Sequence, residues 1–220
     1  MQSVIELVQI FIQVILHLDQ YLNGWVTQLG PAIYLVCFAV IFAETGLVVF
    51  PFLPGDSFLF ALGALTAIDG AYLDLTILLI TLNAAAILGD GTNYAIGRYA
   101  GTKLGSGGRF LNKDHLNKAH AFYERHGGRA IVIARFAPIL RTFAPFVAGI
   151  ARMSYRHFAV YNVIGGILWI TSFLLAGRFF GNLPQVKSNF HILILGIIVV
   201  SLLPAFVEYF RSMRTKKSAE

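Results

Sequence analysis

The first 97 residues of this chain contain no lysine and no arginine. All 17 basic residues lie at Arg98 or beyond, whereas seven of the 11 acidic residues precede it. Charged residues make up 13% of the chain and hydrophobic residues 57%, against about 25% charged residues in typical soluble domains. The single cysteine, Cys37, excludes an internal disulfide. This composition predicts an integral membrane protein.

The sequence also disfavours several other kinds of protein and site. The net charge of +6 does not indicate a nucleic-acid partner, because the basic residues flank apolar segments and no soluble domain is available. The spacing of His115, His120 and His126 does not place them on one helical face, so we expect no metal site. We expect no cofactor and, without a basic start, no cleavable signal peptide.

Two apolar segments are interrupted by proline and are predicted to be re-entrant helical hairpins. The first, residues 31–68, breaks at the sequence PFLPGD, and each of its arms is marginal for a membrane that needs about 20 apolar residues. The second, residues 130–150, contains Pro138 and Pro145, and both prolines are expected to interrupt its helix. Irregular backbone at membrane depth is tolerated only inside protein or along a cavity.

The remaining segments predict full spans and surface helices. Residues 75–97, 158–180 and 190–210 are long and apolar enough to cross a membrane. Residues 98–129 include a basic amphipathic helix, and residues 4–22 either span the membrane or lie on it. The predicted fold is therefore one all-α, polytopic domain over residues 1–220, with three to four full spans and an amphipathic surface helix.

A short repeat connects the two halves of the chain. The sequence GRYAG at Gly97 and the sequence GRFFG at Gly177 each follow a proline-broken hairpin. Basic residues concentrate on the cytoplasmic side of membrane proteins, which places the basic C-terminal tail in the cytoplasm and the two hairpins on opposite faces. Inverted repeats with discontinuous helices are typical of secondary transporters.

Four charged residues lie within the hairpins: Glu44, Asp56, Arg135 and Arg141. Charges at membrane depth are costly and mark functional sites. Arginine binds phosphate through its planar fork of donors, which predicts that Arg135 and Arg141 hold an anionic headgroup. Burial favours a neutral carboxyl and a nearby arginine favours a charged one, so Glu44 or Asp56 can couple binding to protons. The alternative is a pair of ion bridges that only stabilise the fold.

Neighbouring polar residues are secondary candidates. Thr142 and Ser57 can donate hydrogen bonds to the substrate or bond back to their own helices. Asp90 can pair with Arg98, pair with the second hairpin or lie in solvent at the interface. The residues leave open which acid pairs with which arginine.

The segments FAETGLVVFPFLPGDS, GDGTNYAIGR, ARFAPILRTFAPFVAG and MSYRHFAVYNVIG resemble the bacterial DedA family, and the resemblance covers nearly the whole chain. It implies a multi-pass inner-membrane protein with two opposed re-entrant hairpins. It also implies similarity to transporters that recycle undecaprenyl phosphate and to eukaryotic phospholipid scramblases. The family's functional acids map onto Glu44 and Asp56, and its functional arginines onto Arg135 and Arg141. Ala134 stands where many members have glycine, so the substrate can differ between subfamilies.

These patterns together predict a transporter, not an enzyme, that moves undecaprenyl phosphate or a similar lipid phosphate with coupling to protons. The expected partners are the lipid substrate, protons and membrane lipids, and an oligomer is possible. A proton-coupled antiporter for a small cation or drug and a passive phospholipid scramblase are the main alternatives. A lipid phosphatase would need an acid–base pair that the sequence does not offer, and a structural factor would tolerate exchanged charges.

Overall fold

The structure, a computed structural model, describes residues 24–25, 28–47, 55–67, 73–104 and 127–180, with the single residues 183 and 196. Helices and turns, but no strand, are found in these ranges. A 3₁₀ turn at Gly30–Ala32 leads into the first of the main helices. In chain order these are α1 (Ile33–Gly46), α2 (Gly55–Leu65), α3 (Leu75–Leu104), α4 (Arg129–Ala134), α5 (Pro138–Ile150) and α6 (Tyr155–Phe180).

Helices α3 and α6 contain the two segments that are long and apolar enough to cross a membrane, Leu75–Thr102 and Tyr155–Phe180. In the apolar 18-residue stretch of each segment, only 33% of the first and 39% of the second is buried within the protein. Much of the outward surface is aliphatic, as expected of helices in contact with lipid. The exposed aliphatic residues are Ile77, Ile80, Leu88, Ile96, Val160, Val163, Ile164, Ile167 and Leu168. Two of the predicted spans are thus confirmed as helices of sufficient length and apolarity, while their crossing of the membrane stays a prediction, and α3 continues beyond the predicted end at residue 97.

Helices α1, α2 and α5 are apolar but too short to cross a membrane alone. Ten successive residues of α2, from Gly55 to Ala64, are buried. Short buried helices agree with the arms expected of hairpins, although the re-entrant arrangement itself stays a prediction.

The second hairpin segment is a broken helix. Helix α4 ends at Ala134 and α5 begins at Pro138, where a missing N–H costs no helical hydrogen bond. Ala137 is extended (φ −116°, ψ 109°), as expected of a residue that precedes proline. The predicted break at Pro138 is confirmed, but the one at Pro145 is wrong because α5 continues through it.

The chain divides into two compact units. The larger unit comprises residues 32–53 and 76–172, and the smaller unit comprises residues 1–31, 54–75 and 173–220. The core of the larger unit includes Tyr94, Ile131 and Phe158, with the Tyr94 and Phe158 rings stacked at 4.4 Å between centroids.

Both units contain the same close helix crossing. In the larger unit, a Cβ added to Gly97 would lie 2.1 Å from the Phe146 carbonyl oxygen, and one added to Gly149 would lie 2.2 Å from that of Tyr94. In the smaller unit, a Cβ added to Gly177 would lie 2.0 Å from the Phe60 carbonyl oxygen, and one added to Gly63 would lie 2.1 Å from that of Leu174. The sequence repeat therefore has a counterpart in packing, in which glycines let helix backbones touch.

Several predictions fall outside the described residues. These concern the helix at 4–22, the tip of the first hairpin, the amphipathic helix within 98–129 with its three histidines, the span at 190–210 and the basic tail. The cytoplasmic C-terminus and the single domain over residues 1–220 likewise stay predictions.

Candidate functional site

The first buried ion pair of the larger unit joins Arg135 to Asp90. Arg135 lies in the turn between α4 and α5, and Asp90 lies on α3; their side chains are both 3% exposed. The Arg135 Nη2 group donates to Asp90 Oδ2 and also to Asn162 Oδ1 on α6. Asn162 is held in turn because its Nδ2 donates to the Ile87 carbonyl oxygen at 3.0 Å. Two helices, α3 and α6, thus hold the guanidinium of a residue in the turn between α4 and α5.

Two glycines of α6 make room for the Arg135 side chain. A Cβ added to Gly165 would lie 2.9 Å from Arg135 Cδ and 3.1 Å from Nε, and one added to Gly166 would lie 3.7 Å from Nη1. The Nε atom is buried and finds no hydrogen-bond partner in the described part of the chain. An unsatisfied buried donor of a charged group is costly, so Arg135 retains binding capacity that the protein itself does not use.

The second ion pair joins Arg141 on α5 to Glu44 on α1. Arg141 Nη2 donates to Glu44 Oε1, and both side chains are buried. The Arg141 guanidinium carbon also lies 4.8 Å from the centre of the Trp169 ring, within the range of a cation–π interaction. A carboxylate and an aromatic face are thus among the groups around Arg141.

Asn93 connects the two halves of the second ion pair. It is fully buried on α3, and its Nδ2 donates to the carbonyl oxygens of Thr45 at 3.0 Å and Thr142 at 2.8 Å. Each of these carbonyls belongs to the residue that follows a member of the pair, Glu44 or Arg141. Both amide protons are used, which fixes the backbones of α1 and α5 against α3.

We expect Asn93→Leu to destabilise the protein by about 2–3 kcal/mol, because it leaves two buried carbonyls without this donor. The measurement is the unfolding free energy of the purified chain in detergent. Asn83→Leu is the matched control: within the described ranges, Asn83 Nδ2 donates only to the Leu79 carbonyl of its own helix, at 2.8 Å. Equal losses from both variants would contradict the role of Asn93.

The predicted site residues thus fall into two groups. Arg135, Arg141, Glu44, Asp90 and Thr142 lie in the larger unit, and Thr142 contributes its backbone carbonyl. Asp90 pairs with the second hairpin segment rather than with Arg98, and at 2% exposure it is not a solvated interfacial charge.

Asp56 and Ser57 lie in the smaller unit, where they are buried in the first turn of α2. The Ser57 hydroxyl finds no hydrogen-bond partner among the described residues. The carbonyls three and four residues before it lie outside those residues, so a bond back to its own helix stays untested. Arg98 is exposed and donates through Nη1 to the Tyr94 hydroxyl at 3.2 Å. The contacts described above do not test the functional roles of Asp56, Ser57 and Arg98, and these roles stay predictions.

Sequence reasoning missed Asn93, Asn162 and Trp169. Asn162 is a polar residue inside an otherwise apolar span, which is itself a signal, because buried amides in membrane helices need partners. Nothing in the sequence singles out Trp169. Within the described ranges, no cluster of three or more His, Cys, Asp or Glu residues has a geometry suited to a metal ion.

Comparisons with known proteins identify the family. Residues 53–179 match the family model described as the VTT domain. The chain is 49% identical to Protein DedA of Escherichia coli over 97% of its own length and 99% of that protein. The chain belongs to the DedA family. The predicted family resemblance is thereby confirmed.

Other DedA-family relatives are described as membrane proteins. The chain is 41% identical to an uncharacterized membrane protein of Mycobacterium tuberculosis, over 86% of the chain and 84% of the relative. It is 37% identical to the inner membrane protein YghB of Salmonella typhimurium, over 71% of the chain and 72% of that protein. No solved structure matches the chain.

Proposed function

We propose that this DedA-family protein is a transporter that moves a lipid phosphate, with undecaprenyl phosphate as the substrate, across the bacterial inner membrane in a proton-coupled reaction. The observation that carries the proposal is the pair of buried arginines on one broken helix, each facing a carboxylate. Arg135 and Arg141 bind the phosphate in this proposal, and acidic residues exchange protons as it enters and leaves.

The resting site is electrically balanced, since two guanidinium groups face two carboxylates. A phosphate that binds Arg141 therefore competes with Glu44, and one that binds the Nη2 group of Arg135 competes with Asp90. Protonation of that carboxylate removes the competition, because a neutral carboxyl attracts arginine far less than a carboxylate does. A proton taken up by Glu44 frees Arg141 for the phosphate, and its loss drives the phosphate out.

Asp56 is the other candidate for the proton-coupling acid, on the family resemblance and on its burial in α2. Asp90 holds Arg135 at the helix break and adds a third acid to the proposal. Thr142 and Ser57 are proposed to hydrogen-bond the substrate, and the unpartnered Ser57 hydroxyl is consistent with that role.

Replacing the arginines tests the proposal. We expect Arg135→Ala or Arg141→Ala to lower translocation of the carrier at least tenfold, because each removes charge-assisted bonds to phosphate worth about 1.5–3 kcal/mol each. The measurement is exposure of the carrier headgroup on each leaflet at matched protein levels. Arg129→Ala is the matched control, since Arg129 begins α4 of the same broken helix but is exposed. Translocation that is unchanged in both arginine variants would remove the proposed role.

An exchange of charges separates transport from a structural role. In the double variant Glu44→Arg with Arg141→Glu, the pair persists, but the positive group moves from α5 to α1. A protein that only needs the ion bridge keeps its activity, whereas a transporter that binds phosphate at Arg141 does not.

Reconstituted vesicles separate the competing transport functions. A proton-coupled lipid transporter responds to an imposed pH gradient only when the lipid phosphate is present. A scramblase equilibrates lipids without a gradient, and an antiporter moves protons against a cation or drug without the carrier.

A further inference from the structure

The two arginines of the sequence repeat make different contacts. In the smaller unit, Arg178 follows Gly177 and donates through Nη1 to the Thr66 carbonyl oxygen at 2.8 Å and to its hydroxyl at 3.2 Å. Thr66 lies just beyond the last residue of α2. Arg178 therefore satisfies a carbonyl at the end of the helix that its own helix crosses.

In the larger unit, a tyrosine rather than an arginine donates to the carbonyl near the corresponding helix end. Tyr94 occupies the place of Leu174 at the glycine crossing, and its hydroxyl donates to the Met153 carbonyl oxygen just beyond α5. Among the described residues, Arg98, the counterpart of Arg178, donates to the Tyr94 hydroxyl alone and makes no salt bridge. The Arg98 guanidinium is exposed. Among the described residues it does not donate to a carbonyl at a helix end, as Arg178 does.

An open cavity lies beside Arg98. Its volume is about 460 Å³, which lies within the range of about 300–1,000 Å³ that is common for small-molecule sites. The Tyr155 ring packs on Tyr94 at 5.7 Å between centroids and forms part of the wall. The lining residues are Tyr94, Ala95, Arg98, Tyr99, Thr102 and Tyr155.

The position of Arg98 along α3 indicates which region of the membrane the cavity faces. Arg98 lies in the last turns of the candidate span Leu75–Thr102, which is the level of lipid headgroups. Ile96 and Tyr99, on the same stretch, are exposed and offer apolar surface to a lipid chain. Arginine and tyrosine hydroxyls are suited to phosphate oxygens.

We propose that the Arg98 cavity binds the phosphate headgroup of a membrane lipid, as a site separate from the ion pairs of Arg135 and Arg141. The guanidinium carries the phosphate charge, the tyrosines surround the headgroup, and the lipid chain lies along the exposed side of α3. The assignment does not depend on transport, because a bound lipid here needs no movement across the membrane.

Lipid binding to the full-length protein tests this site directly. The probe is dioleoyl phosphatidic acid added in detergent micelles, with dioleoylglycerol, which lacks the phosphate, as the matched lipid. Bound lipid is measured by native mass spectrometry in a background that removes both ion pairs together, with Asp90→Asn, Arg135→Gln, Glu44→Gln and Arg141→Gln. We expect Arg98→Gln to raise the dissociation constant of phosphatidic acid about tenfold, since it removes a charge-assisted bond.

Three further measurements make the result decisive. Arg98→Lys keeps the charge and should keep most of the binding, which excludes misfolding as the cause of a loss. Arg156→Gln, an exposed arginine of α6 outside the cavity, should bind like its parent. Unchanged binding in Arg98→Gln, an equal loss in Arg156→Gln, or equal competition by inorganic phosphate would overturn the lipid assignment. If the background variants lose transport, the lipid assignment at Arg98 is unaffected.

Discussion

Asp90→Ala is expected to destabilise the protein by about 3–5 kcal/mol, the cost of leaving one member of a buried ion pair without its partner. Of the acceptors on the residues that the structure describes, Arg135 would keep only the Asn162 side-chain oxygen, in a position that is 3% exposed. The measurement is the unfolding free energy of the purified full-length chain in detergent.

A double variant shows whether the loss comes from the uncompensated charge. Removing both charges with Asp90→Asn and Arg135→Gln should recover most of the stability, because neutral groups avoid the desolvation penalty of the ions. The same double variant should stay inactive in transport if Arg135 binds phosphate. A double variant as unstable as Asp90→Ala would show that the packing of the side chains, not their charge, sets the stability here.

The sequence predicts the burial of the charged residues more accurately than it predicts their ion-pair partners. Glu44, Arg135 and Arg141 were identifiable because ionised groups in apolar segments are expensive and need compensation. The partner of Arg135 depends on how α3 lies against the broken helix, which is a property of tertiary packing. Asp90 was therefore left with several possible partners, one of which is the observed one.

The two prolines of the second hairpin show the limit of local rules. Both lack an N–H, but only Pro138 stands where the helix can begin. Pro145 lies inside α5, whose backbone is held on one side by the bond from Asn93 to Thr142 and on the other by the Gly149 crossing. Tertiary contacts thus maintain a helix that sequence propensity alone would end.

The repeat was visible as a short glycine–arginine pattern, but its structural meaning was not. The pattern marks the glycines of α3 and α6, whereas the carbonyls that these glycines approach belong to Phe146 on α5 and Phe60 on α2, and the glycines that complete the two crossings are Gly149 and Gly63. Those two glycines are three residues beyond Phe146 and Phe60, a spacing that one turn of a helix explains. No local signal connects a glycine with the carbonyl that it contacts across a helix crossing.

That crossing gives the last expected result. Gly149→Ala places a methyl group 2.2 Å from the Tyr94 carbonyl oxygen and 2.7 Å from the Arg98 backbone nitrogen. Both are main-chain atoms and cannot rotate away, so α3 and α5 must separate. We expect a destabilisation of about 3 kcal/mol or more, at the upper end of overpacking, measured as unfolding free energy in detergent.

Two further alanine variants test whether the backbone contact causes this loss of stability. Gly91→Ala lies on the same helix as Tyr94 with nothing within 4 Å of its Cβ, so it should instead stabilise the protein by about 0.5–1 kcal/mol. Gly63→Ala, the counterpart of Gly149, meets the Leu174 carbonyl oxygen at 2.1 Å and should lose as much stability as Gly149→Ala. If Gly149→Ala and Gly91→Ala changed stability equally, the backbone contact would not be what holds α3 to α5, and the alignment of Asn93 with both ion-pair helices would need another cause.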